Sequence, residues 1–237
     1  MKKIMGCVEI YDDFITEEEA NSIIKDCEEI GVNTVVDNWN WSDATHGDQH
    51  SNGKETMIRT NDMLHISSLG FVPTGTYPYR KLQEQKSMHL RDNALSIHQM
   101  IHHRLIQYVE DYCDRYKFNI QFDEGYSILR YSEGQEYKIH TDYSESLPRY
   151  LSALILLNPQ DYEGGGTYFA HFEEEVKPDK PSLVLFPSNY AYAHQALPVT
   201  SGTKYAIVTW LGHVFDLQSM PEIFIPNDIK IGKKEWN

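Results

Sequence analysis

His140, Thr141 and Asp142 form a His-x-Asp triplet, and a further imidazole, His194, comes later in the chain. In a strand, side chains at i and i+2 face the same way. His140 and Asp142 therefore both point inward if they sit on a strand or at its end. His194 falls on a later strand-like piece and supplies a third donor. Two imidazoles and one carboxylate are the ligand set of a non-haem Fe(II) site with open coordination positions. Iron uses those positions for a co-substrate and dioxygen. A lone His-x-Asp triplet is more often a surface pair, so the case rests on its surroundings.

The elements that must position these residues read as short strands. From Phe122 onward they are Tyr126–Tyr131, Glu136–His140, Tyr150–Leu157, Thr167–Phe172, Ser182–Phe186, Ala191–His194 and Lys204–Leu211. Short strands with Gly and Pro turns predict a sandwich or barrel. Two helices precede them. Thr16 and Glu19 have capping-box spacing, and Ala20, Ile23, Ile24 and Cys27 share one helical face. A second helix is capped by Asp92 and carries Ile97, Ile101, Leu105, Tyr108, Val109, Tyr112 and Tyr116 as an apolar stripe. The expected fold is mainly β (α+β), a double-stranded β-helix (jelly roll) with supporting N-terminal helices. The expected organisation is a single domain over 1–237: helical support and substrate loops at 1–121, jelly-roll core at 122–215, C-terminal extension at 216–237.

Composition narrows the function. The 237 residues carry 21 Lys plus Arg against 35 Asp plus Glu, a formal charge of −14. That argues against broad phosphate-backbone binding and so against a nucleic-acid partner. The longest apolar stretch, Leu151 to Leu157, is broken by Ser152 and far below the ~20 residues of a membrane helix. No signal-peptide apolar region follows Met1. Cys7, Cys27 and Cys113 are scattered and odd in number, which reads as reduced packing residues. The expected location is cytoplasmic, with no membrane partner.

Around the triplet the motifs accumulate in order. Tyr131-Ser132-Glu133-Gly134-Gln135-Glu136-Tyr137-Lys138-Ile139-His140-Thr141-Asp142 is followed by Glu163-Gly164-Gly165-Gly166-Thr167, then by the run from His194 to Trp210. Together they resemble the prolyl 4-hydroxylase-like branch of the Fe(II)/2-oxoglutarate-dependent dioxygenases, over about Gly125 to Trp210. Weaker matches lie at Tyr11 to Ala20 and at Arg59-Thr60, where Asn61 replaces the family's Ser.

The resemblance implies Fe(II) ligation by His140, Asp142 and His194. It implies that Lys204 pairs with the distal carboxylate of 2-oxoglutarate. Tyr131 and Thr167 match hydroxyl positions on the same carboxylate, and Trp210 an aromatic lining position. Tyr137 and Arg149 match positions that meet peptide substrate in some members. No catalytic residue beyond the metal centre is implied. The charges of iron, Asp142, 2-oxoglutarate and Lys204 cancel, as a buried site requires. Asp142, where Gly or Ala would leave room for halide, favours hydroxylation.

The expected function is therefore hydroxylation of a protein or peptide, prolyl 4-hydroxylation first. It is coupled to conversion of 2-oxoglutarate to succinate and CO2, with ascorbate as reductant. The alternative is the same iron chemistry on a free amino acid or small metabolite. Three features read as bystanders or as undecided. His98 and His102 lack the Glu of a zinc-protease helix and read as packing residues. The Gly164–Gly166 run lacks the Lys of a phosphate loop and reads as a tight approach to Thr167. The loop from Trp39 to Arg59, with His46 and His50, is expected to contribute to substrate choice.

Overall fold

A computed structural model describes residues 2–33, 40–44, 58–67, 88–120, 122–143 and 149–212. Two helices precede most of the sheet, α1 (Glu17–Asn33) and α2 (Met88–Tyr116). The strands before residue 122 are β1 (Lys2–Met5), β2 (Val8–Tyr11), β3 (Ser42–Asp43) and β4 (Asp62–Ser67). Those that follow are β5 (Phe122–Asp123), β6 (Tyr126–Tyr131), β7 (Tyr137–His140), β8 (Arg149–Leu156), β9 (Tyr162–Gly164), β10 (Thr167–Phe169), β11 (Glu174–Val176), β12 (Ser182–Pro187), β13 (His194–Ala196), β14 (Val199–Gly202) and β15 (Lys204–Gly212).

The strands form a large sheet in the order β1-β2-β12-β8-β15-β6-β4-β3, with β5 on β15, and a small sheet in the order β11-β10-β13-β7. All recorded pairings are antiparallel. This is the expected jelly roll, with helices packed on the outer face of the large sheet.

Alternation along the strands separates two faces. On β15, Lys204, Ala206, Val208 and Trp210 line a pocket between the sheets, while Ile207 and Leu211 enter the helix-side core. On β6, Leu129 and Tyr131 face the pocket, while Tyr126 and Ile128 face the helices. Ile23, Cys27 and Ile30 of α1 and Ile97, Ile101, Leu105 and Val109 of α2 complete that core.

The capping box at α1 is present. Glu19 N donates to Thr16 Oγ1 at 3.2 Å and Thr16 N to Glu19 Oε2 at 3.0 Å. Three boundaries differ from the sequence expectation by more than one residue. α2 starts at Met88, so Asp92 lies inside it and is exposed rather than capping. The buried stripe continues upstream through Ala94 and Leu90, and this carries the helix past Asp92. The expected strand Ala191–His194 is a 3-10 turn over Tyr190–Tyr192, because Asn189 Oδ1 accepts from Ala191 N at 3.0 Å and bends the chain. The strand starts only at His194. The expected strand to Phe172 stops at Phe169, where Phe172 N turns back to Phe169 O at 3.2 Å. Cys7, Cys27 and Cys113 are free thiols, as expected. Most of the 39–59 loop, with His46 and His50, and the extension 216–237 lie outside the described residues.

Trp41 closes the helix side against the strands. Its Nε1 donates to Glu28 at 3.3 Å, and the Arg130 guanidinium stacks on its ring at 4.3 Å. The ring sits on Gly31, where an added Cβ would lie 2.4 Å from Trp41 Nε1. In an open helix interior Gly→Ala stabilises by roughly 0.5–1 kcal/mol. Here Gly31→Ala is expected to destabilise by about 1–3 kcal/mol through overpacking. Thermal melting checks the sign, and a higher melting temperature would show that Trp41 does not occupy that seat.

Candidate metal centre

β7 and β13 pair so that His140 stands directly opposite His194. Asp142 follows β7 by two residues and turns into the same space. His140 Nε2 lies 3.5 Å from Asp142 Oδ1, and His194 Nε2 lies 3.8 Å from Asp142 Oδ2. One ligand atom from each of the three residues lies within 4.8 Å of the others, and they are the one such group among the described residues.

The tautomers are set from behind. His140 Nδ1 lies 2.8 Å from Lys138 O, and His194 Nδ1 lies 3.1 Å from Tyr192 O. A carbonyl only accepts, so each Nδ1 carries a proton, and each Nε2 is left facing Asp142 as the nitrogen a metal would take. Burial pushes the His194 imidazole down to about 4, so it is neutral near pH 7. Burial alone would raise the Asp142 carboxyl. His194, His140 and a hydrogen bond from Ser152 instead hold it well below the usual carboxylate range. Ser152 Oγ donates to Asp142 Oδ2 at 2.6 Å and lies 2.8 Å from Ser188 Oγ. Two imidazoles and one oriented carboxylate, converging with nitrogen and oxygen donors exposed to one point, fit a ferrous ion.

Tyr131, Tyr137, Thr167, Lys204 and Trp210 all line the pocket that contains the triad. Tyr137 stacks on His140, with centroids 3.5 Å apart and an interplanar angle of 14°. Lys204 is 2% exposed, and its Nζ donates to Gly165 O at 2.6 Å. Burial, with Lys177 nearby, lowers its ammonium to about 7. The glycine run makes this contact possible. Gly164 and Gly165 have φ of +67° and +64°, and a Cβ on Gly164 would lie 2.4 Å from Pro198 O.

Arg149 does not line the pocket. Its Nε and Nη2 each donate to Glu124 at 2.6 Å, its Nη1 reaches Asp142 O at 3.3 Å, and its guanidinium stacks on Trp210 at 3.9 Å. It holds the wall of the pocket. His98 and His102 stack on each other at 5.7 Å beside Tyr126, and His102 Nδ1 lies 2.9 Å from Asp123. They are packing residues, as expected.

Sequence reasoning missed the support of Asp142. Ser152 was visible as the one polar residue in the apolar run Leu151–Leu157, but its partner Ser188 lies on another segment. The sequence placed Arg59 only in a weak motif match and at the end of the loop expected to contribute to substrate choice, without a place in the pocket. Arg59 is 6% exposed, lines the pocket, and places its guanidinium 4.5 Å over Tyr137. The earlier charge balance omitted this second cation.

The sequence pattern of the 2OG-Fe(II) oxygenase superfamily matches residues 126–212, the segment that carries all three candidate ligands and Lys204. Residues 126–212 belong to that superfamily. A PKHD-type hydroxylase of Alteromonas mediterranea is 34% identical over 113 residues, 43% of this chain and 49% of that protein. A multifunctional procollagen lysine hydroxylase and glycosyltransferase of Caenorhabditis elegans is 23% identical over 87% of this chain and 24% of that protein. The chain thus spans half or less of the length of these curated relatives. A Trichoplax adhaerens prolyl hydroxylase, solved with a hypoxia inducible factor peptide fragment, shares the fold. It has a TM-score of 0.57 and 18% identity, covering 86% of this chain and 83% of that one. The likeness shows a shared jelly-roll fold.

Groups that orient metal ligands typically contribute 10–100-fold in metal affinity. Ser152→Ala is therefore expected to weaken Mn(II) or Fe(II) binding by about that factor, and Asp142→Ala to abolish it. Metal titration followed by calorimetry checks both. Equal affinity in Ser152→Ala and the parent would remove Ser152 from the support of the centre.

Proposed function

We propose that this chain is an Fe(II)- and 2-oxoglutarate-dependent hydroxylase acting on a residue of a protein or peptide, with proline as the first candidate. The observation that carries the reading is the pairing of two unlike sites in one pocket. A two-imidazole, one-carboxylate donor set and a buried ammonium, Lys204, line the same cavity. Lysine is the second candidate residue, favoured by the procollagen lysine hydroxylase relatives. Ascorbate is the reductant expected to sustain turnover.

In this reading His140, Asp142 and His194 hold iron. Iron so held, with 2-oxoglutarate and dioxygen, supplies the oxidation of a C–H to C–OH while 2-oxoglutarate leaves as succinate and CO2. The chain's residues do the rest. Lys204 neutralises and orients the distal carboxylate of the co-substrate. Thr167 and Tyr131 border the same end. Leu129, Leu154, Ala206 and Val208 keep the middle of the pocket apolar and exclude water. Arg59 and Tyr137, stacked beside His140, form the side of the pocket from which substrate is presented.

Two outcomes test this. Iron-loaded protein with 2-oxoglutarate and peptide libraries should yield succinate together with a peptide heavier by one oxygen atom. Metal binding without 2-oxoglutarate turnover on any peptide or free amino acid would defeat the reading, and product only from free amino acids would move it to a small metabolite. Lys204→Ala is expected to cost roughly 3–5 kcal/mol of co-substrate binding, more than about a hundredfold in Kd.

Lys204 also gives binding a pH dependence. The bound dicarboxylate requires the ammonium, whereas the free protein begins to lose that proton at about 7. Binding above that pH must take up a proton, so 2-oxoglutarate affinity should fall by up to about tenfold per unit as pH rises past 7. Below 7 it should level off. Titrations from pH 6 to 9 in buffers of different ionisation enthalpy measure both the slope and the proton uptake.

A further inference from the structure

Within the donor set, Asp142 alone lies off a strand. His140 ends β7 and His194 opens β13, and the ladder between them fixes both. Asp142 comes after β7 and before β8, so no strand pairing aims its carboxylate. Other bonds must do so. Ser188, which follows β12 directly and is 1% exposed, reaches this region with both its main chain and its side chain. Its carbonyl accepts from Tyr143 N at 2.8 Å, one residue past Asp142, and its N donates to Tyr150 O at 3.1 Å near the start of β8. Its Oγ lies 2.8 Å from Ser152 Oγ.

The direction of the bond between the two hydroxyls follows from chemistry. A serine hydroxyl has one proton to give. Ser152 gives its proton to Asp142 Oδ2 at 2.6 Å, and Asp142 keeps its charge, so that carboxylate only accepts. Ser152 has no proton left for Ser188, and Ser188 must therefore donate to Ser152. The result is a one-way chain from Ser188 to Ser152 to Asp142. It joins the end of β12, the middle of β8 and the segment after β7. Hydrogen bonds in such a chain polarise one another, so the first strengthens the second, and low local dielectric strengthens both.

We propose that Ser188 is a positioning residue of the metal centre, acting through Ser152. Its hydroxyl fixes how the Ser152 hydroxyl is turned, so that the Ser152 proton points at Asp142 Oδ2 before metal arrives. That oxygen faces His194 Nε2 at 3.8 Å, while Oδ1 faces His140 Nε2 at 3.5 Å. Holding one oxygen therefore sets the carboxylate plane relative to both imidazoles. Partners behind a ligand raise metal affinity by orienting it in advance. The inference rests on the reading of the triad as a metal centre and not on the identity of the co-substrate.

Ser188→Ala removes the hydroxyl and leaves both main-chain bonds of residue 188 in place. Calorimetric titration of Mn(II) into the full chain should show Kd raised about three- to tenfold, the usual worth of one hydrogen bond. The decisive readout is the combination with Ser152→Ala. Without the Ser152 hydroxyl Ser188 has nothing to act through, so adding Ser188→Ala to Ser152→Ala should change Kd by less than about twofold. A Kd for Ser188→Ala within about twofold of the parent overturns the assignment. A lower metal-free melting temperature with that unchanged Kd would mark a purely structural serine. A loss in the double variant equal to the product of the two single losses also overturns it, because the serines would then act independently. A parent that binds no Mn(II) defeats the metal centre and the assignment with it. Binding weakened in Ser152→Ala but unchanged in Ser188→Ala defeats only the role of Ser188.

Discussion

The candidate centre depends on the register of one strand pair. β7 and β13 set His140 opposite His194, and a slip of one residue would turn one imidazole to the other face of the sheet. The register is held on both sides. β10 pairs Phe169 with His194, and Phe186 meets the His194 ring edge-on at 4.8 Å. On the outer edge of β7, Lys138 N donates to Ile58 O at 2.8 Å and Thr60 N to Glu136 O at 3.1 Å. The segment that carries Arg59 into the pocket therefore also fixes the strand that carries His140. Ligand geometry and pocket wall are one mechanical unit.

Burial then acts on the two ends of the pocket with opposite results. At the metal end, Asp142 loses solvent but gains two imidazoles and the Ser152 hydroxyl, so its charge is retained. At the far end, Lys204 loses solvent and gains a carbonyl at 2.6 Å and two flanking phenol rings but no carboxylate hydrogen bond, so its charge is marginal near neutral pH. One end is ready to hold a cation before any ligand arrives. The other is completed only by an anion. That asymmetry suits a site in which metal is resident and a dicarboxylate comes and goes.

What was legible in the sequence follows the range of the interaction. His140 and Asp142 share a face because they are two apart on extended chain, and the Thr16–Glu19 capping box spans one turn; both are local facts. The strand texture from Phe122 onward carried the jelly roll. His194, Lys204 and Thr167 were placed by the order and identity of separated motifs, not by local physics. The misreadings have local causes of their own. Asn189 bends the backbone at Ala191 and delays the strand, and the apolar stripe of α2 runs upstream of the residue that looked like its cap. Ser188 and Arg59 were not placed at the site because their partners lie on other strands, and a single sequence carries no record of which strands meet.

Arg149 shows how a side chain near a site can act without entering it. Its guanidinium is shared among Glu124, the Asp142 carbonyl and the Trp210 ring. Those three groups belong to the turn before β6, the segment after β7 and the end of β15. Trp210 lines the pocket, and Asp142 belongs to the donor set. A change at Arg149 would therefore reach the pocket by two routes, through the tilt of an aromatic wall and through the backbone that aims a carboxylate. Loss of activity at such a position would not by itself mean contact with substrate. The planar guanidinium suits this role, since it offers donors in its plane to Glu124 and Asp142 while its face covers the indole. A lysine there would keep the charge and lose the plane.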